Sequence, residues 1–131
     1  MTNEAICIEA PKIIKRYTVA NQTAIAYGTV LKLSGANTAA TNSISGDVFA
    51  GIAIEEKTAS DGITEIGAAI DGVWDILVQG GNITNGSIVC LSGANTIRFA
   101  TEADCVLGTM VGKILETGTD ATFVRTRLGL I

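Results

Sequence analysis

One segment of this 131-residue chain occurs twice, and this repeat constrains the fold more than any other feature. Residues 28–38 read GTVLKLSGANT, and residues 86–96 read GSIVCLSGANT, 58 positions later. Residues 50–55 resemble residues 111–116 at a shift of 61, which a three-residue insertion in the connecting turn would explain. A half of about 58 residues with few aromatic side chains is marginally stable alone. The two halves are therefore predicted to share one core, as a pseudo-two-fold barrel or sandwich.

Each half has the sequence pattern of β-strands. Short runs of Val, Ile, Leu, Thr and aromatic residues are interrupted by Gly, Asn, Asp or Ser at the spacing that is typical of a β-sandwich or barrel. In residues 13–19, Ile13, Tyr17 and Val19 share one face of the predicted strand, and residues 74–78 alternate in a similar way. Because successive side chains of a strand point to opposite sides, one face of each strand is predicted to contact a core.

These patterns predict an all-β fold class. The expected architecture is a compact β-barrel or sandwich with an internal two-fold sequence duplication and little or no helix. Only residues 101–104 suggest a helix, because Thr101 precedes an acidic residue by three positions and would cap a single turn.

Pro11 is predicted to mark a boundary near the N-terminus, because proline cannot donate a ladder hydrogen bond. Residues 1–12 are predicted to form an N-terminal arm, and residues 13–131 a single β domain. Within that domain the pseudo-repeats span about residues 13–70 and 71–128.

The arm is acidic and carries two isoleucines, Ile6 and Ile8, with little core of its own to pack on. These side chains are predicted either to be buried against another chain or to lie on an additional edge strand. The arm lacks the apolar stretch of a secretory signal, and no run of residues is apolar enough for a membrane-spanning helix. Neither secretion nor a membrane partner is therefore expected.

Charge is scarce: charged residues make up 17% of the chain, against roughly 25% in an average soluble domain. The 9 Lys and Arg residues are outnumbered by 13 Asp and Glu residues, so the basic surface that nucleic-acid binding requires is not expected. Apolar residues make up 47% of the chain. Because obligate interfaces are more apolar than ordinary surface, this composition suits a homo-oligomer.

The chain contains no histidine, which excludes Ser-His-Asp and Cys-His catalysis and histidine metal ligands. The three cysteines, Cys7, Cys90 and Cys105, share no CxxC spacing and are too few for a Cys₄ zinc site. They are predicted to be buried, reduced thiols. No metal and no cofactor are expected.

Carboxylate pairs are the remaining candidates for acid–base chemistry. Asp71 and Asp75 flank a predicted turn, and Glu55 and Glu56 end a predicted strand. All four are interpreted as solvated turn or edge charges, so no catalytic residue is assigned. An enzyme that uses Asp71 and Asp75 is kept as a third hypothesis for the function.

Trp74 is the only tryptophan and lies on an alternating strand. It is predicted to belong to the core or to a subunit interface, where large aromatic side chains contribute most. The alternative is a sugar-stacking platform with Tyr17 and Tyr27, which would make the chain a carbohydrate- or receptor-binding module.

The strand and turn residues resemble those of the small capsid decoration (cement) proteins of tailed bacteriophages. The resemblance is carried by residues 25–34, 51–55, 61–62 and 111–116, and it extends over roughly residues 13–128. It implies a compact β-fold, often trimeric, that sits on the outside of an expanded head and bridges neighbouring major capsid subunits.

The resulting hypothesis is a non-enzymatic virion structural protein, made in the bacterial host cytoplasm and bound to the outer capsid surface. Its expected partners are the major capsid protein and identical copies in a homotrimer. The candidate capsid or subunit contacts are Ile6, Ile8, Pro11 and Trp74. The alternative hypothesis is a carbohydrate- or receptor-binding β-module of a head fibre or tail.

Overall fold

The computed structural model describes residues 3–41, 44–107 and 109–129, and for residues 105–107 it describes the backbone alone. The side chain of Cys105 therefore lies outside the described part of the chain. So do the first two residues of the predicted arm and the last two of the predicted β domain.

The described residues confirm the all-β fold class. They form eleven strands and one short helix in the order β1 (Ile6–Glu9), β2 (Ile14–Thr18), β3 (Val30–Gly35), β4 (Thr38–Thr41), β5 (Phe49–Ala53), β6 (Glu65–Ala69), β7 (Val73–Val78), β8 (Ile88–Gly93), β9 (Thr96–Phe99), α1 (Glu102–Leu107), β10 (Met110–Ile114) and β11 (Phe123–Leu128).

Five strands of the first half close into a barrel in the order β2-β4-β3-β5-β6, which we call barrel one. Its neighbouring strands are antiparallel, except that β2 runs parallel to β4 where Thr18 lies opposite Thr38. This short parallel contact closes the barrel, so no further strand is needed from the second half.

Five strands of the second half form barrel two in the corresponding order, β7-β9-β8-β10-β11. A parallel contact of β7 with β9, at Leu77 and Val78, closes it in the same way. The repeated segments 28–38 and 86–96 occupy matching places, because they contain the turns between β3 and β4 and between β8 and β9. Barrel two also carries an additional strand, β1, on β7.

The prediction of one barrel or sandwich shared by both halves is corrected by this arrangement, because each half closes its own barrel. Two clusters of buried apolar side chains result. Val30 and Leu31 are neighbours in β3 and point to opposite faces. Leu31 belongs to the cluster inside barrel one, whereas Val30, Ile52 and Ala69 belong to the larger cluster with the side chains of barrel two. The halves therefore share core only at their junction.

The strand faces follow the predicted alternation with one exception. Tyr17 and Val19 are buried, as predicted, and the buried side chains of β7 alternate with half-buried ones from Trp74 onwards. Ile13, however, is 54% exposed. It lies one residue before β2, where the chain enters the barrel, so its side chain does not reach the interior.

Helix α1 confirms the helical turn predicted at residues 101–104. The Asp104 N–H donates to Thr101 Oγ1 at 3.4 Å, and the Thr101 N–H donates to Asp104 Oδ2 at 2.7 Å. This reciprocal pair satisfies two amide groups at the helix start. Arg98 of β9 adds an ion pair with Asp104 at 3.0 Å, and its guanidinium holds the pKa of that carboxyl well below its usual range.

Candidate interaction surface

The N-terminal segment forms the additional edge strand that was one of its two predicted outcomes. In β1, Ile6 lies opposite Asp75 and Cys7 lies opposite Trp74, antiparallel to β7. The side chains of Ile6 and Ile8 point away from the core and are 52% and 37% exposed. They therefore remain available to another chain.

Asp71 holds the chain segment that connects β1 to β2. Its Oδ1 accepts the N–H groups of Lys12 and Ile13 at 2.9 and 3.0 Å. Pro11 is half-buried beside Gly72, where a Cβ atom would lie 2.9 Å from the carbonyl oxygen of Glu9. Gly72 also has a φ of 95°, which favours glycine. The carboxylate of Asp71 thus fixes where the chain passes from barrel two to barrel one.

Trp74 is fully buried inside barrel two. Its Nε1–H donates to the carbonyl oxygen of Asp71 at 3.2 Å, and the ring of Tyr27 lies 6.2 Å away. Trp74 is therefore a core residue, and it has no exposed surface to offer to a capsid protein or to a second copy.

The predicted aromatic platform does not form. Tyr17 is buried in barrel one, where its hydroxyl donates to the carbonyl oxygen of Ala50 at 2.7 Å and burial raises its pKa. Since Trp74 is buried as well, only Tyr27 of the three candidate rings reaches the surface, and it is 46% exposed.

Two of the remaining candidate carboxylates, Asp75 and Glu55, make structural contacts, and Glu56 is exposed. Asp75 forms an ion pair with Arg125 across β7 and β11, at 3.2 Å. Glu55 accepts the N–H of Gly67 at 2.7 Å and lies 3.4 Å from the guanidinium of Arg16. Each of these bonds joins neighbouring strands or connecting segments within one barrel.

A cleft of about 640 Å³ lies beside the junction of the barrels, and Lys57 contributes to its wall. The Lys57 side chain is fully buried, and its ammonium group donates to the carbonyl oxygens of Asn21, Thr23 and Thr58 at 2.7, 2.8 and 3.1 Å. Asp61 lies 3.5 Å from the same nitrogen. Lys57 therefore holds two loops together and has no donor left for a ligand. Nothing in its sequence context predicts this role.

The sequence does not predict the most exposed apolar residues near β2. Ile13 and Ile14 are 54% and 42% exposed, and Lys12 separates them from Pro11 in the sequence. Together with Ile6 and Ile8 they place four large apolar side chains on the first two strands and their connection. The sequence feature that could have indicated this exposure is the positive charge of Lys12, Lys15 and Arg16 on either side of the two isoleucines.

Two cysteines can be described, and both are free thiols. Cys90 is buried as predicted, whereas Cys7 is half-buried, and desolvation raises the pKa of the Cys7 thiol. Among the described residues, no group of three or more Asp, Glu or Cys side chains is placed to hold a metal ion. No helix in the described ranges is long and apolar enough to cross a membrane.

No protein-family model matches the chain, and no curated protein matches it. A solved structure does: the N base of head fibre gp8.5 of bacteriophage phi29, with a TM-score of 0.56 and 12% sequence identity. The match covers 89% of this chain and 93% of that one, so nearly all of the two-barrel fold is common to both. At this identity the similarity shows a common fold.

Proposed function

We propose that this chain is a structural protein of a phage virion that binds the outside of the head as a decoration protein. The observation that carries the proposal is the fold: it is similar over 89% of the chain to the base of a phage head fibre. In this proposal its partner is the major capsid protein, and binding stabilises the expanded shell.

The chemistry of the surface supports a binding role without catalysis. Asp71, Asp75 and Glu55 are engaged in hydrogen bonds and ion pairs that hold the fold together. Ile6 of β1 and Ile13, just before β2, have large apolar side chains that are each more than half exposed. Apolar surface with few charges is typical of an interface with other protein chains. The proposed function needs no cofactor and no metal.

The proposal includes a homotrimer as the bound form. Association of identical copies would cover part of the exposed apolar surface, which a monomer leaves in water. Multi-angle light scattering on a sizing column measures the molar mass directly. A monomer at all concentrations would contradict the trimer, although not the binding of the head.

A second candidate is the base of a head fibre, which the similarity to the phi29 protein favours specifically. Both candidates bind the head, but they differ in what binding does. A decoration protein stabilises the shell by joining neighbouring subunits, whereas a fibre base needs only a site of attachment.

The test mixes the purified protein with expanded phage heads that lack it. Co-sedimentation measures binding, and release of DNA on heating or on addition of a chelator measures head stability. Binding with a higher rupture temperature supports a decoration protein. Binding with no change in rupture temperature supports a fibre base. If wild-type protein does not co-sediment with the heads, both candidates are wrong.

A further inference from the structure

The two barrels differ in how the first strand of each is covered. In barrel two, β7 pairs with β11 along one edge, and β9 and β1 share the other edge. In barrel one, β2 pairs with β6 along one edge, but β4 meets its other edge only at Thr18. Among the described residues, no strand takes the place beside β2 that β1 takes beside β7.

The backbone groups at this vacant position can be identified from the register. Thr18 donates its N–H to Asn37 on the β4 side, and alternate residues of a strand point to the same edge. Ile14 and Arg16 therefore present their N–H and C=O groups to the uncovered edge. In barrel two the matching residues, Val73 and Asp75, lie opposite residues of β1. We call residues 14–16 of β2, on this side, the open edge.

The side chains around the open edge carry positive charge and apolar surface. Ile14 is 42% exposed, and the Arg16 side chain is 51% exposed. Lys12 and Lys15 lie within 4.0 Å of no carboxylate oxygen in the described part of the chain, whereas Arg16 is paired with glutamates of its own barrel. A partner strand with carboxylates would supply the missing counter-charges.

The chain itself contains an example of such a strand. The strand β1 has apolar Ile6 and Ile8 on its exposed face, and Glu4 and Glu9 stand on either side of its centre. It is held on β7 largely by main-chain pairing, since only Cys7 of its four residues is half-buried. The fold therefore already binds one short, acidic, extended segment at the matching edge.

We propose that the open edge accepts an extended, acidic segment of the capsid shell protein as an added β-strand. The inference rests on the proposed function and assigns its contact surface. An added strand gains affinity from main-chain hydrogen bonds, and its side chains provide specificity. It also covers an edge that would otherwise be free to pair with other chains.

Two copies of the open edge are poor partners for each other. An antiparallel pairing of β2 with β2 from a second molecule would bring Lys12, Lys15 and Arg16 of both copies together. Like charges at close range weaken such a pair. The acidic strand β1 of another copy is already paired with its own β7. The occupant is therefore assigned to a different protein, and association between copies becomes an outcome of the test.

The deciding experiment compares Ile14→Pro with Ile14→Val in the co-sedimentation assay with expanded heads. Proline removes the N–H that faces the open edge, and it leaves the ladder with β6 intact because that ladder uses the odd-numbered residues. Valine keeps the N–H and the β-branched shape. We expect wild type and Ile14→Val to bind alike and Ile14→Pro to bind at least about tenfold more weakly. Equal binding by all three overturns the inference but leaves the proposed function standing.

Charge variants test the surface without altering the backbone, in case Ile14→Pro does not fold. Lys12→Glu is expected to weaken head binding a few-fold and to reduce its dependence on salt. Lys113→Glu makes the same charge change on β10 of barrel two and serves as the matched control. If the two variants bind equally, the shell contact does not use the charge beside the open edge, and the inference is wrong.

Hydrogen exchange separates an added strand from a side-chain contact. The amide hydrogens of Ile14 and Arg16 should exchange rapidly in the free protein and slowly in the head-bound protein. Unchanged exchange in the bound protein would exclude strand addition. If light scattering instead finds self-association that Ile14→Pro abolishes, the occupant is a second copy and the assignment to the shell protein is wrong. If wild type fails to bind heads, the proposed function itself fails.

Discussion

The two barrels have the same strand order, but their interiors are filled differently. Barrel two is packed with large side chains, of which Trp74 is the largest and is fully buried. The interior cluster of barrel one has four alanines among its nine residues: Tyr17, Val19, Ile25, Leu31, Ala39, Ala50, Ala53, Ile66 and Ala68. The repeated residues Thr38 and Thr96 lie opposite Thr18 of β2 and Leu77 of β7, respectively. Counting back three residues on each strand, Lys15 occupies the place in β2 that Trp74 takes in β7. Duplication of a strand order therefore does not require duplication of a core.

The identical hairpin segments show the same divergence at the surface. Both copies read LSGANT, and Asn37 and Asn95 both have a positive φ, of 51° and 58°. Asn37 is exposed, whereas Asn95 is buried and its Oδ1 accepts the N–H of Val30 at 2.8 Å. The hairpin of barrel two is therefore part of the junction between the barrels, whereas Asn37 in the hairpin of barrel one is exposed. The larger buried cluster thus contains most of its residues from the second half, whereas the hairpin turn of the first half is exposed at Asn37.

The strongest test of this difference is Trp74→Ala against Lys15→Ala. Removing a fully buried tryptophan leaves a large cavity, so we expect Trp74→Ala to lower the free energy of unfolding by about 4 kcal/mol. Within the described part of the chain, the ammonium nitrogen of Lys15 lies 5.7 Å from the centroid of the Tyr17 ring and forms no ion pair, so Lys15→Ala should cost less than about 1 kcal/mol. Urea denaturation followed by circular dichroism measures both values. Similar losses would mean that the two interiors are equally important.

Barrel one has its own buried anchor in Lys57, which the second test removes. Lys57→Met leaves the carbonyl oxygens of Asn21, Thr23 and Thr58 without their common donor, so we expect a loss of about 3 kcal/mol. The control is Lys32→Met, since Lys32 forms a more accessible ion pair with Asp47 at 3.3 Å. Its loss should stay below about 1 kcal/mol. Calorimetric melting of the two variants compares them, and a small effect at Lys57 would contradict its role as an anchor.

The hairpins allow a comparison of the same substitution in the same local sequence. Asn95→Ala and Asn37→Ala both place alanine at a positive φ, so the backbone strain is common to the two variants. Only Asn95→Ala leaves the buried N–H of Val30 unsatisfied. We expect it to be about 1–2 kcal/mol more destabilising than Asn37→Ala. Denaturant midpoints determine the difference, and equal midpoints would show that the junction does not depend on this bond.

Acid should distinguish the barrels more weakly. Arg98 holds the pKa of Asp104 in barrel two well below its usual range, and the N–H of Ile63 lowers the pKa of Asp61 in barrel one. A lowered folded-state pKa stabilises the protein above the unfolded value of about 3.9, and this contribution is lost as the pH falls towards the folded value.

We therefore expect wild type to lose more stability between pH 5 and pH 2 than Asp104→Asn does, by about 1 kcal/mol. Asp61→Asn should flatten the same profile less, because Asp61 is exposed and Asp104 is buried. Thermal melts over this pH range record the profiles. Parallel profiles for wild type and Asp104→Asn would mean that the ion pair with Arg98 adds nothing to stability.

Features that depend on local sequence could be predicted, and features that depend on distant contacts could not. Alternation in residues 74–78 and the cap at Thr101 involve neighbours in the chain, and the structure confirms both. Closure of separate barrels depends on contacts such as Leu77 with Thr96, between strands that are not adjacent in sequence. The burial of Lys57 likewise depends on carbonyl groups of two loops that meet only in the folded chain.

The candidate contact surface was predicted in part for the same reason. The exposed isoleucines of β1 follow from an acidic segment with little core of its own. Trp74 gives no such indication, because an alternating strand has the same pattern at an interface and in a barrel interior. The open edge depends on contacts that are distant in sequence, because β1 covers β7 whereas no described strand covers the matching place beside β2.

The position of β1 also determines the order in which the chain can fold. Its residues precede barrel one in the sequence but pair with barrel two, as Ile6 does with Asp75. On the ribosome, the strands of barrel one leave the exit tunnel before those of barrel two, and they can close without waiting for them. Although Ala5 beside it bonds to Gly28 of the first half, β1 has no strand to pair with until β7 emerges, and that pairing closes the longest loop among the described strand pairs. During translation, β1 is therefore expected to pair later than the strands of barrel one, although it precedes them in the sequence.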